Sequence, residues 1–124
     1  MKLKDKRTFI DSVKNCLEGI AYTLEHERNF LIEMIIGIIV IILSFIFKIS
    51  KIEWLIIILV INLVLILEMI NTAFEKTVDL YTKEYNELAK AVKDIASGAV
   101  FVSSLFSLVI GIIIFLPRIL DLIK

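Results

Sequence analysis

Glu68, Asn71, Thr72, Glu75 and Asp79 recur at the spacing of one helix face, and three of these five residues are acids. At about 100° per residue they fall within an arc of about 100°. Met69, Ile70, Ala73, Phe74 and Val78 occupy the rest of the turn. The apolar run 54–67 leads into this stretch without a break, so one helix carries both. Three carboxylates therefore line up where a hydrophobic helix leaves a membrane. Ionisable groups at that depth are costly and face a bundle interior or a polar cavity. Glu68 and Glu75 stand two turns apart, about 10 Å along the axis. That span lets one carboxylate meet a lipid headgroup while the other holds a metal beside the phosphates of a nucleotide. The plainer reading is polar glue between membrane helices; glue seldom uses three acids.

A second polar stripe comes later, where Lys90, Lys93, Asp94 and Ser97 stand at i, i+3, i+4 and i+7 on entry to another apolar run. Mg²⁺ is commonly held by one or two carboxylates together with substrate phosphates. Phosphoryl transfer also needs a cation against the phosphates and a carboxylate to take a hydroxyl proton. Those parts are present. The sequence holds no Walker A run, kinase-type Gly-rich loop or His-Glu-x-x-His motif, so a nucleotide site would have to be assembled from helix faces.

The elements that must position these groups can be read in order. The 124 residues are 59 % hydrophobic, with a mean hydropathy of +0.91. That composition marks an integral membrane protein and excludes a soluble enzyme or nucleic-acid module. Phe9, Val13, Cys16, Leu17, Ile20 and Leu24 recur at helical spacing over about 7–27, an amphipathic helix lying on the inner leaflet. Extending that period puts Glu27 on the apolar side, where a cation would partner it; the alternative is a helix ending near Glu25 with Glu27 solvated. Three apolar blocks follow, predicting spans at about 30–47, 54–74 and 95–116; the first two need polar terminal turns to approach the ~20 residues of a crossing. Gly37 is a close-packing point, Trp54 an interfacial anchor and Asn62 an interhelical hydrogen-bonder near mid-membrane. Pro117 is expected to end the last helix, and Ser103, Ser104 and Ser107 to bond backbone carbonyls. The expectation is an all-α integral membrane fold, one surface helix plus three spans, with no repeat or linker.

Formal charge is zero, but its distribution is uneven. With three crossings, Lys2, Lys4, Lys6, Arg7, Lys14, Arg28, Lys76, Lys83, Lys90 and Lys93 share one side, against Lys48, Lys51, Arg118 and Lys124 on the other. Lys/Arg excess marks the cytoplasmic side. The expectation is a multi-pass protein of the cytoplasmic membrane with its N-terminus inside and the Glu68 stripe opening where ATP is available. No removable signal peptide is expected. The single Cys16 forms no intrachain disulfide.

Glu68-x-x-Asn71-Thr72-Ala73-x-Glu75-x-x-x-Asp79, then Glu84-Tyr85-x-Glu87-Leu88 and Lys93-Asp94-x-Ala96-Ser97-x-Ala99-Val100, resembles the prokaryotic diacylglycerol kinase family over nearly the whole chain. Its members are small three-span lipid kinases. Glu18-Gly19 and Glu25-His26-Glu27-Arg28-Asn29-Phe30 resemble the Gram-positive branch, whose members phosphorylate undecaprenol. The resemblance implies one lipid kinase domain, 1–124, that transfers the γ-phosphate of ATP to a lipid hydroxyl with Mg²⁺. It implies Glu68 as general base and Glu27 and Glu75 as metal ligands. Lys93 is then the phosphate contact with Asp94 beside it, and Asn71 and Asp79 support the site. Glu84, Tyr85 and Asn86 flank the nucleotide, and Glu33 and Ser97 contact lipid beside Glu68. It implies a homotrimer with sites at subunit interfaces, and no nucleic-acid partner. The diacylglycerol branch carries basic and tyrosine residues on its surface helix near ATP. This chain has Thr8, Asp11 and Asn15 there, so no nucleotide contact is assigned to that helix, though Arg7 or Lys14 could substitute. Two other readings stay open: a diacylglycerol kinase, and a small cation or proton transport subunit using Glu68 and Glu75.

Overall fold

The computed structural model describes residues 8–124; the basic segment 2–7, which the charge distribution reads as a topology signal, lies outside the described residues. Four helices follow one another: α1 (Phe9–His26), α2 (Arg28–Ile46), α3 (Lys51–Tyr81) and α4 (Glu87–Ile123). The last three are each long and apolar enough to cross a membrane.

Each boundary has a local cause. Thr8 accepts from the Asp11 amide while Asp11 reaches back to the Thr8 amide, a reciprocal cap that starts α1. Glu27 alone separates α1 from α2; its extended backbone (φ −118°, ψ 104°) turns the surface helix into the first span. After α2, Lys48 takes a positive φ of 50°, and Ser50 with Glu53 forms a second capping box that starts α3. Nothing stops α3 until Thr82, so the apolar run and the acidic stripe share one rod. Asn86 accepts from the amides of Leu88 and Ala89 and starts α4.

The described chain packs as a sheaf in which α3 lies against α2 and, most extensively, against α4. Gly37 sits where α2 meets α3: a Cβ there would stand 3.1 Å from Ile61 Cγ2. The end of the sheaf remote from the acids is the tightly packed one. Ile49, Ile57, Ile114 and Phe115 form its core, flanked by Val40, Leu43, Phe47, Trp54, Ile61 and Ile110. Beside it, Arg118 donates to both carboxylate oxygens of Glu53 at 2.9 and 2.7 Å. By contrast, α1 leaves Phe9, Ile10, Val13 and Leu17 exposed, as expected of a helix lying on a membrane surface.

Three expectations are corrected. Pro117 does not end the last helix, which runs through it to Ile123. The proline removes the donor that would meet the Ile113 carbonyl; one residue on, Arg118 Nη1 donates to the Ile114 carbonyl at 2.7 Å, and its pair with Glu53 ties the final turns to the start of α3. Ser107 bonds the Ser103 carbonyl at 2.7 Å, whereas the Ser103 hydroxyl is buried without a partner. Asn62 makes no interhelical bond among the described residues; it points outward from α3.

Because removing one member of a charged pair strands the other, Arg118→Met is expected to lower the thermal unfolding midpoint in detergent by several degrees. Glu53→Met/Arg118→Met should recover part of that loss. Equal midpoints for wild type and Arg118→Met would show that the pair does not hold α3 to α4.

Candidate functional site

The site lies at the other end of the sheaf and is centred on Glu68, whose side chain is only 2 % exposed. Its depth follows from the α3 period: Ile57, Ile61 and Val64 point into the sheaf, and Glu68 is the next residue on that face. Thr72, equally buried, donates from Oγ1 to the Glu68 carbonyl at 2.9 Å. That bond lies beneath the acid and fixes the turn that carries it.

Four acids from three segments converge there. Glu27 comes from the α1–α2 junction, Glu33 from the second turn of α2, and Glu68 and Glu75 from α3. Glu68 feels the charges of Glu27 and Glu75, and Glu33 feels that of Glu68. Asn71 lies between Glu68 and Glu75 and donates from Nδ2 to Glu75 Oε1 at 3.4 Å. Its own Oδ1 is buried without a partner, as is Glu33 Oε2. The junction carboxylate of Glu27 makes no cap bond. A set of acids with so few donors around it is built to meet something from outside.

Lys93 on α4 reaches across to Asp79 on α3, Nζ to Oδ1 at 2.8 Å. This bond closes the second polar stripe onto the first. The other expected residues are not brought into the cluster. Asp94 pairs along its own helix with Lys90 on the exposed surface. Ser97 is exposed and donates to the Lys93 carbonyl at 2.9 Å. Glu84 and Tyr85 are exposed in the α3–α4 connection, and the Asn86 side-chain oxygen is engaged in the cap. On α1, Thr8 and Asp11 are tied up with one another, and His26 stacks on Tyr22 with ring centroids 4.0 Å apart.

Two features of the site escape the sequence reading. Thr72 belongs to the recognised stripe, but its bond beneath Glu68 is visible only in three dimensions. The Asp79–Lys93 bond spans two helices, and no periodicity within either one specifies it.

Among the described residues no three His, Cys, Asp or Glu side chains close into a metal cage. The donors that do converge are carboxylates, with no thiol or imidazole among them, which suits a hard cation that takes its remaining ligands from phosphate and water. The ionisable residues of α2 and of the buried α3 stripe lie at one end of the spans, with no charged residue between Glu33 and Lys48 or between Glu53 and Glu68. A conduction path across the sheaf therefore has no charged stepping stones on either helix.

Comparison with known proteins adds four findings. The sequence profile of the family described as prokaryotic diacylglycerol kinase matches residues 14–115. The chain is 43 % identical, over 95 % of its own length and 99 % of the relative's, to a protein of Bacillus subtilis (strain 168) named undecaprenol kinase. It is also 37 % identical to a diacylglycerol kinase of a Synechocystis species, over 84 % of this chain and 60 % of that one. A diacylglycerol kinase of Haemophilus influenzae is 35 % identical over 76 % and 80 % of the two lengths.

Proposed function

From the fact that this chain belongs to the prokaryotic diacylglycerol kinase family, we propose that it transfers the γ-phosphoryl group of ATP to the hydroxyl of undecaprenol at the cytoplasmic membrane face. Lipid phosphorylation is the activity that the family and the relatives' names share. The choice of undecaprenol follows the relative matched over almost its whole length. Phosphorylation of diacylglycerol is the alternative, favoured by the names of the relatives at 37 % and 35 % identity.

The observation that carries the mechanism is the buried Glu68 carboxylate beside Glu33, one of whose oxygens is buried without a partner. Glu68 accepts the proton of the lipid hydroxyl as that oxygen attacks the γ-phosphorus. The bond from phosphorus to the β–γ bridging oxygen breaks, and ADP leaves with the electron pair. The proton stays on Glu68 until the phosphorylated lipid departs. Glu27 and Glu75 would hold Mg²⁺, which when bound neutralises phosphate charge. Asn71 steadies Glu75, and Asp79 presents Lys93 toward the nucleotide phosphates. Glu84, Tyr85 and Asn86 border the nucleotide from the exposed connection, with Asp94 near it. Glu33 and Ser97 contact the lipid.

Lys/Arg asymmetry supports a cytoplasmic N-terminus and a site facing ATP. A homotrimer is part of the proposal. Three spans enclose little, and Asn62 points outward from the middle of α3; neighbouring copies would cover such a surface.

Purified protein in detergent is expected to move phosphate from MgATP to undecaprenol faster than to diacylglycerol; the reverse order would assign the alternative, and no transfer to either lipid would end the kinase reading. Glu68→Gln should cut transfer by about 10²–10⁴-fold, the usual weight of a general base, while MgATP still binds. Turnover near wild type would refute that role. Glu75→Gln should instead weaken nucleotide binding in a Mg²⁺-dependent way, read by titrating the metal at fixed ATP. An unchanged metal requirement would remove Glu75 from the ligand set.

A further inference from the structure

A second stripe runs along α3, opposite the acids. Leu55, Leu59, Asn62, Ile66, Met69 and Ala73 recur at alternating steps of four and three residues, the spacing of a seam between supercoiled helices. At about 100° per residue, Asn62 lies about 160° round the helix from Val64, which is buried on the same face as Glu68. The sheaf covers that inner face and leaves the seam outside. Leu55 is 54 % exposed, Leu59 65 % and Ile66 43 %, and Asn62 and Ala73 are exposed with them.

Exposed leucine and isoleucine are ordinary against lipid, but an exposed amide is not. Asn62 stands about 13 Å along the axis from Glu53 and about 9 Å from Glu68, well inside the span. It is the one Asn or Gln in the apolar runs 30–47, 54–67 and 95–116. Hydroxyls buried in the spans satisfy themselves: Ser44, Thr72 and Ser107 each donate to the carbonyl one turn back. The Asn62 amide has two N–H groups and a carbonyl to satisfy, and hydrocarbon offers a partner to none of them. Lys/Arg asymmetry inserts every copy the same way up, so a second copy presents its own Asn62 at the same depth. An amide is donor and acceptor at once. Identical amides around a rotation axis can therefore each donate to the next and accept from the one before.

We propose that α3 packs against α3 of neighbouring copies along this seam, and that Asn62 joins them through a ring of amide hydrogen bonds at mid-membrane that fixes their register. The inference deepens the homotrimer of the preceding reading and rests on it for the number of copies. It adds which face of α3 lies on the axis and which side chain aligns the helices. One Asn at a seam position specifies register and strand number in coiled coils. The need for such a mark is greater in lipid, where a seam of Leu, Ile, Met and Ala gains nothing from hydrophobic burial. Shifting that seam by one heptad would cost little if no polar pair marked the right alignment. An axis through Asn62 also turns each Glu68 away from the centre, toward the α2 and α4 of its own copy.

The test uses the full chain in detergent, with Cys16→Ala as background so that any disulfide reports the introduced cysteine. Mild oxidation should link copies of Asn62→Cys and of Leu59→Cys. Ile113→Cys on α4 should stay unlinked, although Ile113 is 66 % exposed and Leu59 65 %. Light scattering on dilution should show association weakened at least about threefold in Asn62→Leu, the weight of one interhelical hydrogen bond in a membrane. Asn62→Gln, which keeps the amide, should recover most of that loss. The cysteine variants keep the inference falsifiable should the leucine variant fold poorly.

Equal linking at all three positions, or none at 59 and 62, would overturn the seam. A monomeric wild type would do the same. Association unchanged or tightened in Asn62→Leu would remove the amide ring, since an amide merely facing lipid is improved by leucine. Linking at 59 and 62 in a protein that phosphorylates no lipid alcohol would uphold the seam and sink the kinase reading instead.

Discussion

Keeping a carboxylate inside an apolar helix bundle is the constraint on which the rest of this structure depends. Glu68 is 2 % exposed on a helix whose preceding residues are almost all Ile, Leu and Val. An uncompensated charge in such surroundings costs several kcal/mol, so the position holds only where polar groups from elsewhere can reach it. That requirement explains why α3 continues unbroken past the apolar run to Tyr81, because a break near residue 68 would release the acid to water. It also explains why Thr72 fixes the Glu68 backbone and why Asn71 lies between two carboxylates. Yet the compensation is incomplete. Among the described residues Asn71 is the one side-chain donor bonded to a carboxylate of the cluster, and two buried oxygens have no partner at all. A cation and a hydroxyl would complete it, which is what a phosphoryl-transfer site for lipid alcohols requires.

The chain divides its packing accordingly. At the end remote from the acids, a capping box, a two-toothed arginine–carboxylate pair and a buried Ile/Phe cluster hold α3 to α4 and to the α2–α3 turn. At the acid end, α1 is joined through the single extended residue Glu27, and the α3–α4 connection is exposed. Elements with few buried contacts open at low free-energy cost. Rigidity therefore sits at the end remote from the acids, and compliance at the end where the proposed reaction would admit a nucleotide and a lipid.

Much of this was legible in the sequence because it is local. The face shared by Glu68, Asn71, Thr72, Glu75 and Asp79, the three spans, the surface helix and the close-packing role of Gly37 all follow from helical periodicity, and the structure contains each of them. What escaped is non-local. Glu53 and Arg118 are 65 residues apart, and no pattern in either helix announces their meeting; without that pair, Pro117 reads as a terminator when it is an interior residue. Lys93 and Asp79 are 14 apart across a helix break, so spacing rules that hold within one helix say nothing about them. Asn62 failed for a related reason: periodicity gives its angle on α3 but not which neighbours lie in that direction.

The two ion pairs show how the same chemistry can serve holding and releasing. Arg118 and Glu53 are 31 % and 23 % exposed and share two hydrogen bonds in planar, fork-like geometry, an arrangement suited to permanence. Lys93 and Asp79 are 40 % and 37 % exposed and share one bond. A pair that open to solvent contributes little to stability, and a lysine ammonium is a mobile point charge with donors to spare. In the proposed reaction this weakness is useful. On that proposal Asp79 would hold Lys93 until a nucleotide arrives, and exchanging one acceptor for a phosphate oxygen would forfeit little. An arginine locked to its carboxylate at both teeth could not make that exchange so cheaply, which is a physical reason for a lysine at the acid end and an arginine at the other.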